Sequence, residues 1–323
     1  MNKTKSTRRD FLIKSAAVGG AVAAGSTFWG GCSKHTQKLP SPCPFGEKPK
    51  GNMDVTFYAI ADTHLGYGQA YDINRRLIET LNNLPGSKMP LDPNYKNARP
   101  DKPGSSVIQK PRGVIIAGDL TEDGKPHQWE QFESLYGLTG KEGLLKYPVL
   151  ECTGNHDRRD ASGIVPSSVA KRHGSNCYRT TWDDLQVLCV DVCPGKDNIS
   201  WLRDQLLDIG SYLPVIIFYH YNMDGPYSHF WSIAEKKKFI AQCEYFNVLG
   251  IFHGHFHPSE IRQINGINIF NTGACKHSCH YFMVCRVTDE RLAVGAYYWD
   301  KTFGTPRWEL TRLYDWKNNK III

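Results

Sequence analysis

Asp62-Thr63-His64, Gly118-Asp119, Gly154-Asn155-His156-Asp157, His220 and Gly254-His255-Phe256-His257 stand out in a chain of 323 residues, because their side chains are donors for a metal ion. Carboxylate, amide and imidazole together suit divalent ions of borderline softness, namely Mn, Fe, Zn or Co. Asp62, His64, Asp119, Asn155, His220, His255 and His257 are too many donors for one ion that keeps a position open for substrate. They suit two ions if one carboxylate serves both. The Asp62-x-His64 spacing places both side chains on the same side of extended backbone, as two ligands of one ion require.

Something must hold these clusters together. Each follows a short apolar run rich in β-formers, at residues 55–61, 113–117, 147–152, 214–219 and 248–252. Parallel strands of an α/β protein present their C-terminal loops along one edge, where ligands bind. Gly118 lets the backbone turn sharply so that Asp119 reaches inward. Between the strands, Ile73, Leu77, Ile78, Leu81 and Leu84 recur at helical spacing behind Asp72, a candidate N-cap. Further helices are expected over 126–136, over 200–209 and after the capping box Ser232-x-x-Glu235. Residues 178–182 and 185–192 read as an antiparallel pair joined through Asp183-Asp184. Residues 261–271 read as a hairpin turning at Asn265-Gly266. Residues 281–287, 292–299 and 308–314 read as a β-rich end of the domain. The Pro-rich stretch 85–112 reads as an inserted surface loop.

Over roughly 55–274 the ordered set of clusters resembles the calcineurin-like metallophosphoesterase superfamily. The resemblance implies a four-layer α/β/β/α sandwich, two mixed sheets with helices outside. It implies one metal held by Asp62, His64, Asp119 and His257, and a second held by Asp119, Asn155, His220 and His255, with Asp119 bridging. His156 would not be a ligand; it would face the leaving group or a phosphate oxygen. The implied activity is dinuclear-metal hydrolysis of phosphate esters, as a phosphatase or a phosphodiesterase, with Asp119, Asn155 and His156 carrying the catalysis. Asn155, His156 and Arg158 would contact the substrate. Arg158 or its neighbour Arg159 pairs with a phosphate oxygen, or with a surface carboxylate instead. Asp157 orients His156 or a metal ligand, and His253 belongs to the core or the support of the site. A binding or scaffold protein that has lost catalysis is the competing reading, and the complete donor set argues against it. Tyr221, Tyr227, Phe230 and Trp231 are either core or pocket lining, and Lys276, His277 and His280 are candidate substrate contacts.

The N-terminus reads differently. Lys3, Lys5, Arg8 and Arg9 precede an Ala/Gly-rich stretch over 15–30, and residues 6–14 resemble a twin-arginine export signal. Residues 28–33 resemble a relaxed lipobox with Trp29 where Leu is expected, so that Cys32 is either lipidated or close to a cleavage point. The resulting plan is an export signal at 1–31, a linker at 32–52 and a metallophosphoesterase domain at 53–323. The partners it implies are the twin-arginine machinery and, through Cys32, a membrane. The expected location is the periplasm, or a membrane as a lipoprotein, of a bacterium. The formal charge of the chain is +7, and residues 1–31 carry five basic residues and one acid, leaving +3 for the rest. That field is too weak to indicate a nucleic-acid partner. Cys152, Cys189 and Cys285 lie in apolar runs and read as buried thiols. Cys189 with Cys193, and Cys275 with Cys279, are the candidate disulfides, and no Cys-x-x-Cys suggests a structural zinc.

Overall fold

The computed structural model describes residues 45–93, 104–276, 279–302 and 304–323, without the side chains of Lys196 and Asp197. The export signal, Cys32, residues 94–103 of the inserted stretch and His277 lie outside the described residues. In chain order the strands are β1 (Asp54–Ile60), β2 (Lys88–Met89), β3 (Ser106–Val107), β4 (Val114–Ala117), β5 (Val149–Cys152), β6 (Cys177–Trp182), β7 (Leu185–Val190), β8 (Val215–Phe218), β9 (Val248–His253), β10 (Glu260–Ile264), β11 (Ile267–Asn271), β12 (Tyr281–Thr288), β13 (Arg291–Tyr298), β14 (Arg307–Asp315) and β15 (Lys320–Ile321). The helices are α1 (Ala70–Asn83), α2 (Pro126–Tyr136), α3 (Ile164–His173), α4 (Lys196–Ile209) and α5 (Ile233–Cys243).

Two mixed sheets form the centre. The first runs β15-β14-β13-β12-β1-β4-β5, and the second β10-β11-β9-β8-β7-β6. In the first, β1, β4 and β5 are parallel, while β12 lies antiparallel to β1. In the second, β7, β8, β9 and β11 are parallel, and β6 and β10 are antiparallel edges. The period-two alternation of β1 sorts its side chains by layer. Val55, Phe57 and Ala59 face the second sheet, where they meet Val187, Ile216, Phe218 and Phe252. Tyr58 and Ile60 face outward onto Leu77, Ile78 and Leu81 of α1, Phe132 of α2 and Val165 of α3. Helices α4 and α5 cover the far side of the second sheet, with Leu202, Leu206 and Phe239 packed on Ile217, Ile251 and Ile269. Strands covered on both faces must be apolar throughout, and β4 and β8 are buried at every position. The result is the expected α/β/β/α sandwich.

Several local expectations need correction. Helix α1 begins at Ala70 with Gln69 at its cap, so Asp72 lies in the first turn, where its charge suits the helix dipole. Residues 85–112 do not form a plain surface loop: β2 pairs with β3, and Met89, Leu91 and Ile108 are buried in the outer core. Helix α3 was not legible, because its N-cap, Gly163, is left-handed and only Val165 and Val169 are buried along it. The C-terminal strands β12, β13 and β14 are present as expected, and β12 inserts directly beside β1. Cys189, Cys193, Cys275 and Cys279 are free thiols, so neither candidate disulfide is formed. The capping box at Ser232 is present, with Ser232 N donating to Glu235 Oε2 at 2.8 Å. Asn265 and Gly266 both take the positive φ that a tight hairpin turn requires.

Candidate metal centre

The loops after β1, β4 and β5 of the first sheet meet the loops after β8 and β9 of the second. Backbone bonds lace them together: Asp62 N donates to Gly118 O at 2.9 Å, His64 N to Asp119 O at 3.0 Å, and Gly254 N to His220 O at 3.2 Å. Asp62, His64, Asp119, His255 and His257 all have positive φ, between 45° and 70°. Such backbone costs a non-glycine residue on the order of 1 kcal/mol, and it concentrates where geometry serves a function.

Close backbone approach completes the frame. A Cβ on Gly154 would lie 2.1 Å from Asp119 Oδ1 and 2.4 Å from Asp119 N. Gly154→Ala is therefore expected to displace the Asp119 carboxylate and weaken metal binding by roughly 10–100-fold, as loss of a supporting contact does. Elemental analysis after dialysis checks this; a variant with unchanged metal content would show that Asp119 does not hold metal from this position.

The donors fall into overlapping groups. Ligand atoms of Asp62, His64 and His257 lie within 4.8 Å of one another, as do those of Asp119, His220 and His255. His64 Nε2 stands 3.7 Å from both Asp62 Oδ1 and Asp119 Oδ2, and His257 Nε2 stands 3.6 Å from Asp62 Oδ1. His220 Nε2 stands 3.3 Å from Asp119 Oδ2 and 3.1 Å from Asn155 Oδ1. All the predicted donors are thus brought together, and Asp119 lies between the two groups. The site passes a chemical test for a divalent ion. His64 Nε2 and His255 Nε2 are buried without a hydrogen-bond partner, and such atoms are costly unless something coordinates them. Burial favours neutral imidazole at His64 and His220, yet the Asp62, Glu122 and Asp119 carboxylates hold both up to about 9. Without metal, protons supply the positive charge that these carboxylates require; a cation would take their place.

Comparison with known proteins agrees. Residues 55–259 match the calcineurin-like phosphoesterase family. The chain belongs to that family. A glycerophosphodiester phosphodiesterase, GpdQ of Enterobacter lignolyticus, is 24% identical over 206 residues, covering 59% of this chain and 72% of that protein. Among solved structures, a dimetal phosphatase from Danio rerio superposes with a TM-score of 0.54 at 12% identity, covering 75% of this chain and 95% of that one. GAP50, the anchor in the inner membrane complex of Plasmodium, superposes with a TM-score of 0.52 at 11% identity, covering 79% and 88%. These two structures share the fold.

Around the donors of this calcineurin-like phosphoesterase lie groups that the sequence did not single out. Glu122 is the chief one. Its carboxylate lies 2.7 Å from His64 Nδ1 and accepts from Lys276 Nζ at 2.8 Å, and its carbonyl takes His156 Nδ1 at 2.7 Å. Its only signal was its place three residues after Asp119. Because a carbonyl only accepts, His156 Nδ1 carries the proton. His156 Nε2 then accepts from Arg159 Nη2 at 2.8 Å, and it stands 4.0 Å from Asp119 Oδ2. Arg158 turns away: it bonds both Asp191 oxygens, at 2.7 and 2.8 Å, and Thr153 Oγ1.

Asp157 does not touch the His156 ring. Its carboxylate accepts from Gly154 N, Leu120 N, Thr121 N and Thr121 Oγ1, which fastens the loop after β5 to the loop after β4. Burial, with the Asp119 charge nearby, pushes Asp157 up to about 6. His253 is buried against Tyr219. Lys276 is spent on Glu122 and the Tyr67 ring, and His280 is buried beside Asp300. Trp231 is core, while Tyr221, Tyr227 and Phe230 surround the His255 ring.

Proposed function

We propose that the chain hydrolyses phosphate esters with two divalent ions, of Mn, Fe, Zn or Co, and does so outside the cytoplasm. The observation that carries the reading is the position of the Asp119 carboxylate, whose Oδ2 stands 3.7 Å from His64 Nε2 and 3.3 Å from His220 Nε2. Asp119 faces Asp62, His64 and His257 on one side and Asn155, His220 and His255 on the other, so one metal would take the first group, the second metal the other, and Asp119 both. When bound, such ions supply Lewis-acid charge and acidify a water enough for attack near neutral pH. The protein's own residues do the rest. Asn155 Oδ1, 3.1 Å from His220 Nε2, fixes the second group of donors. His156 holds Arg159, and the half-exposed Arg159 guanidinium contacts phosphoryl oxygens in the role first given to Arg158, which Asp191 occupies. The GpdQ relative favours a phosphodiester among the ester classes.

The test is a panel of chromogenic mono- and diesters assayed while each metal is titrated into chelated protein. Metal-dependent turnover of at least one ester class is expected. Inactivity on all of them with every metal would favour a scaffold that has lost catalysis.

Export is proposed from the sequence: Arg8→Lys with Arg9→Lys should leave the protein folded in the cytoplasm. Cell fractionation reads this out, and export at the normal rate would remove the twin-arginine assignment.

A further inference from the structure

The two flanks of the centre differ in chemistry. On the His64 side stand Glu122, Lys276 and Arg159, all charged and paired. On the His255 side stands a wall of rings. Tyr221 stacks on Phe230 at 4.7 Å and 13°, and His229 stacks on Phe230 at 4.5 Å and 25°. Tyr221 and Phe230 meet the His255 ring edge-on at 5.0 and 4.9 Å, and Tyr227 does so at 6.3 Å. Yet Tyr227 is 62% exposed and Phe230 46% exposed.

This exposure is built into the loop. The buried Asn222 amide donates to Asp224 O and Pro226 O, both at 2.7 Å, and buried Trp231 Nε1 donates to Asn222 O at 3.0 Å. Trp231 in turn packs on Tyr219 and Phe239 of the core. A scaffold fixed at its base therefore presents rings that it does not bury. Tyr227 is also held at φ 61° and ψ 16°, in the left-handed region, where a bulky side chain is an outlier and glycine would be at ease. Strain kept at an exposed aromatic beside a metal donor indicates a function for that ring.

We infer that this wall binds a planar aromatic group of the phosphate ester, so that the preferred substrates are aryl- or heteroaryl-bearing esters. The inference rests on the phosphoesterase reading of the same centre. An ester with its phosphorus over Asp119 must direct its organic group to one flank. The charged flank offers a ring only Tyr67, which Lys276 already covers at 4.2 Å; the exposed ring edges and the open Tyr227 face give it edge-to-face and stacked contacts.

The test compares two phosphonates that cannot be hydrolysed, by calorimetry on the Mn-loaded full chain. Benzylphosphonate should bind about tenfold more tightly than methylphosphonate, which lacks the ring. Tyr227→Gly, which relieves the backbone, and Phe230→Ala should each reduce that ratio several-fold through benzylphosphonate alone. A wild-type ratio near one, or a ratio that neither variant lowers, overturns the wall and leaves the phosphoesterase reading standing. If neither phosphonate binds with Mn, Fe, Zn or Co loaded in turn, the phosphoesterase reading fails and the assignment of the wall falls with it. The wild-type ratio decides the matter even if a variant does not fold.

Discussion

Replacing Asp119 by asparagine should abolish turnover, by on the order of 10⁴-fold or more, and should remove metal with it. The change is nearly isosteric, so the fold should survive. Asp119 Oδ1 accepts the His156 amide at 2.8 Å, and Asp119 Oδ2 stands 3.7 Å from His64 Nε2 and 3.3 Å from His220 Nε2. One negative group therefore faces both sets of imidazoles from a wholly buried position, where an uncompensated charge is expensive. A neutral amide cannot balance two cations there. Elemental analysis should find the second ion lost and the first weakened. Two full equivalents of metal with near-normal turnover would show that Asp119 is not shared.

His156→Ala should retain its metals and lose on the order of 10²–10³-fold in kcat, the usual effect of misplacing one preorganised donor to a phosphoryl oxygen, here Arg159. The reason lies in the hydrogen bonds of the ring. Nδ1 donates to Glu122 O, and Nε2 offers its lone pair to Arg159. Burial also lowers the proton affinity of His156. Of the two positions open to His156 in the sequence reading, the structure favours the phosphate side, acting through Arg159. The loss should then be equal for a nitrophenyl ester and an alkyl ester, and Arg159→Ala should reproduce it. A larger loss on the alkyl ester would restore a proton donor, because a poor leaving group depends on protonation. Loss of metal would make His156 a ligand, an outcome the geometry keeps in view because its ring lies within 4.8 Å of His64 and Asp119 donors.

The candidate donors were legible because each follows an apolar run and all stand in a fixed order; singly, Asp-x-His or Gly-Asp is ordinary turn sequence. The helices with strong apolar periodicity were legible for a similar local reason, and α2 has the predicted bounds. What escaped was non-local. Nothing near Val55 says that β1 pairs with β12, more than two hundred residues away. Glu122 read as an ordinary turn residue until the fold set it against His64 and Lys276. Choosing between adjacent arginines depended on Asp191, which directly follows β7 of the other sheet and captures Arg158. In each case the deciding partner is remote in sequence, and spacing arguments stop at the element.

The donors are also divided between the sheets: Asp62, His64, Asp119 and Asn155 follow strands of the first, and His220, His255 and His257 follow strands of the second. A bound pair of ions would thus act as a rivet through the seam between them. Only the folded chain brings these residues together, so metal at one hundred times its dissociation constant would favour the folded state by about 2.7 kcal/mol. The lifetime of the protein against proteolysis would then follow the metal supply of its surroundings. Scarcity would then cost the protein lifetime as well as activity, through the loss of that margin of about 2.7 kcal/mol.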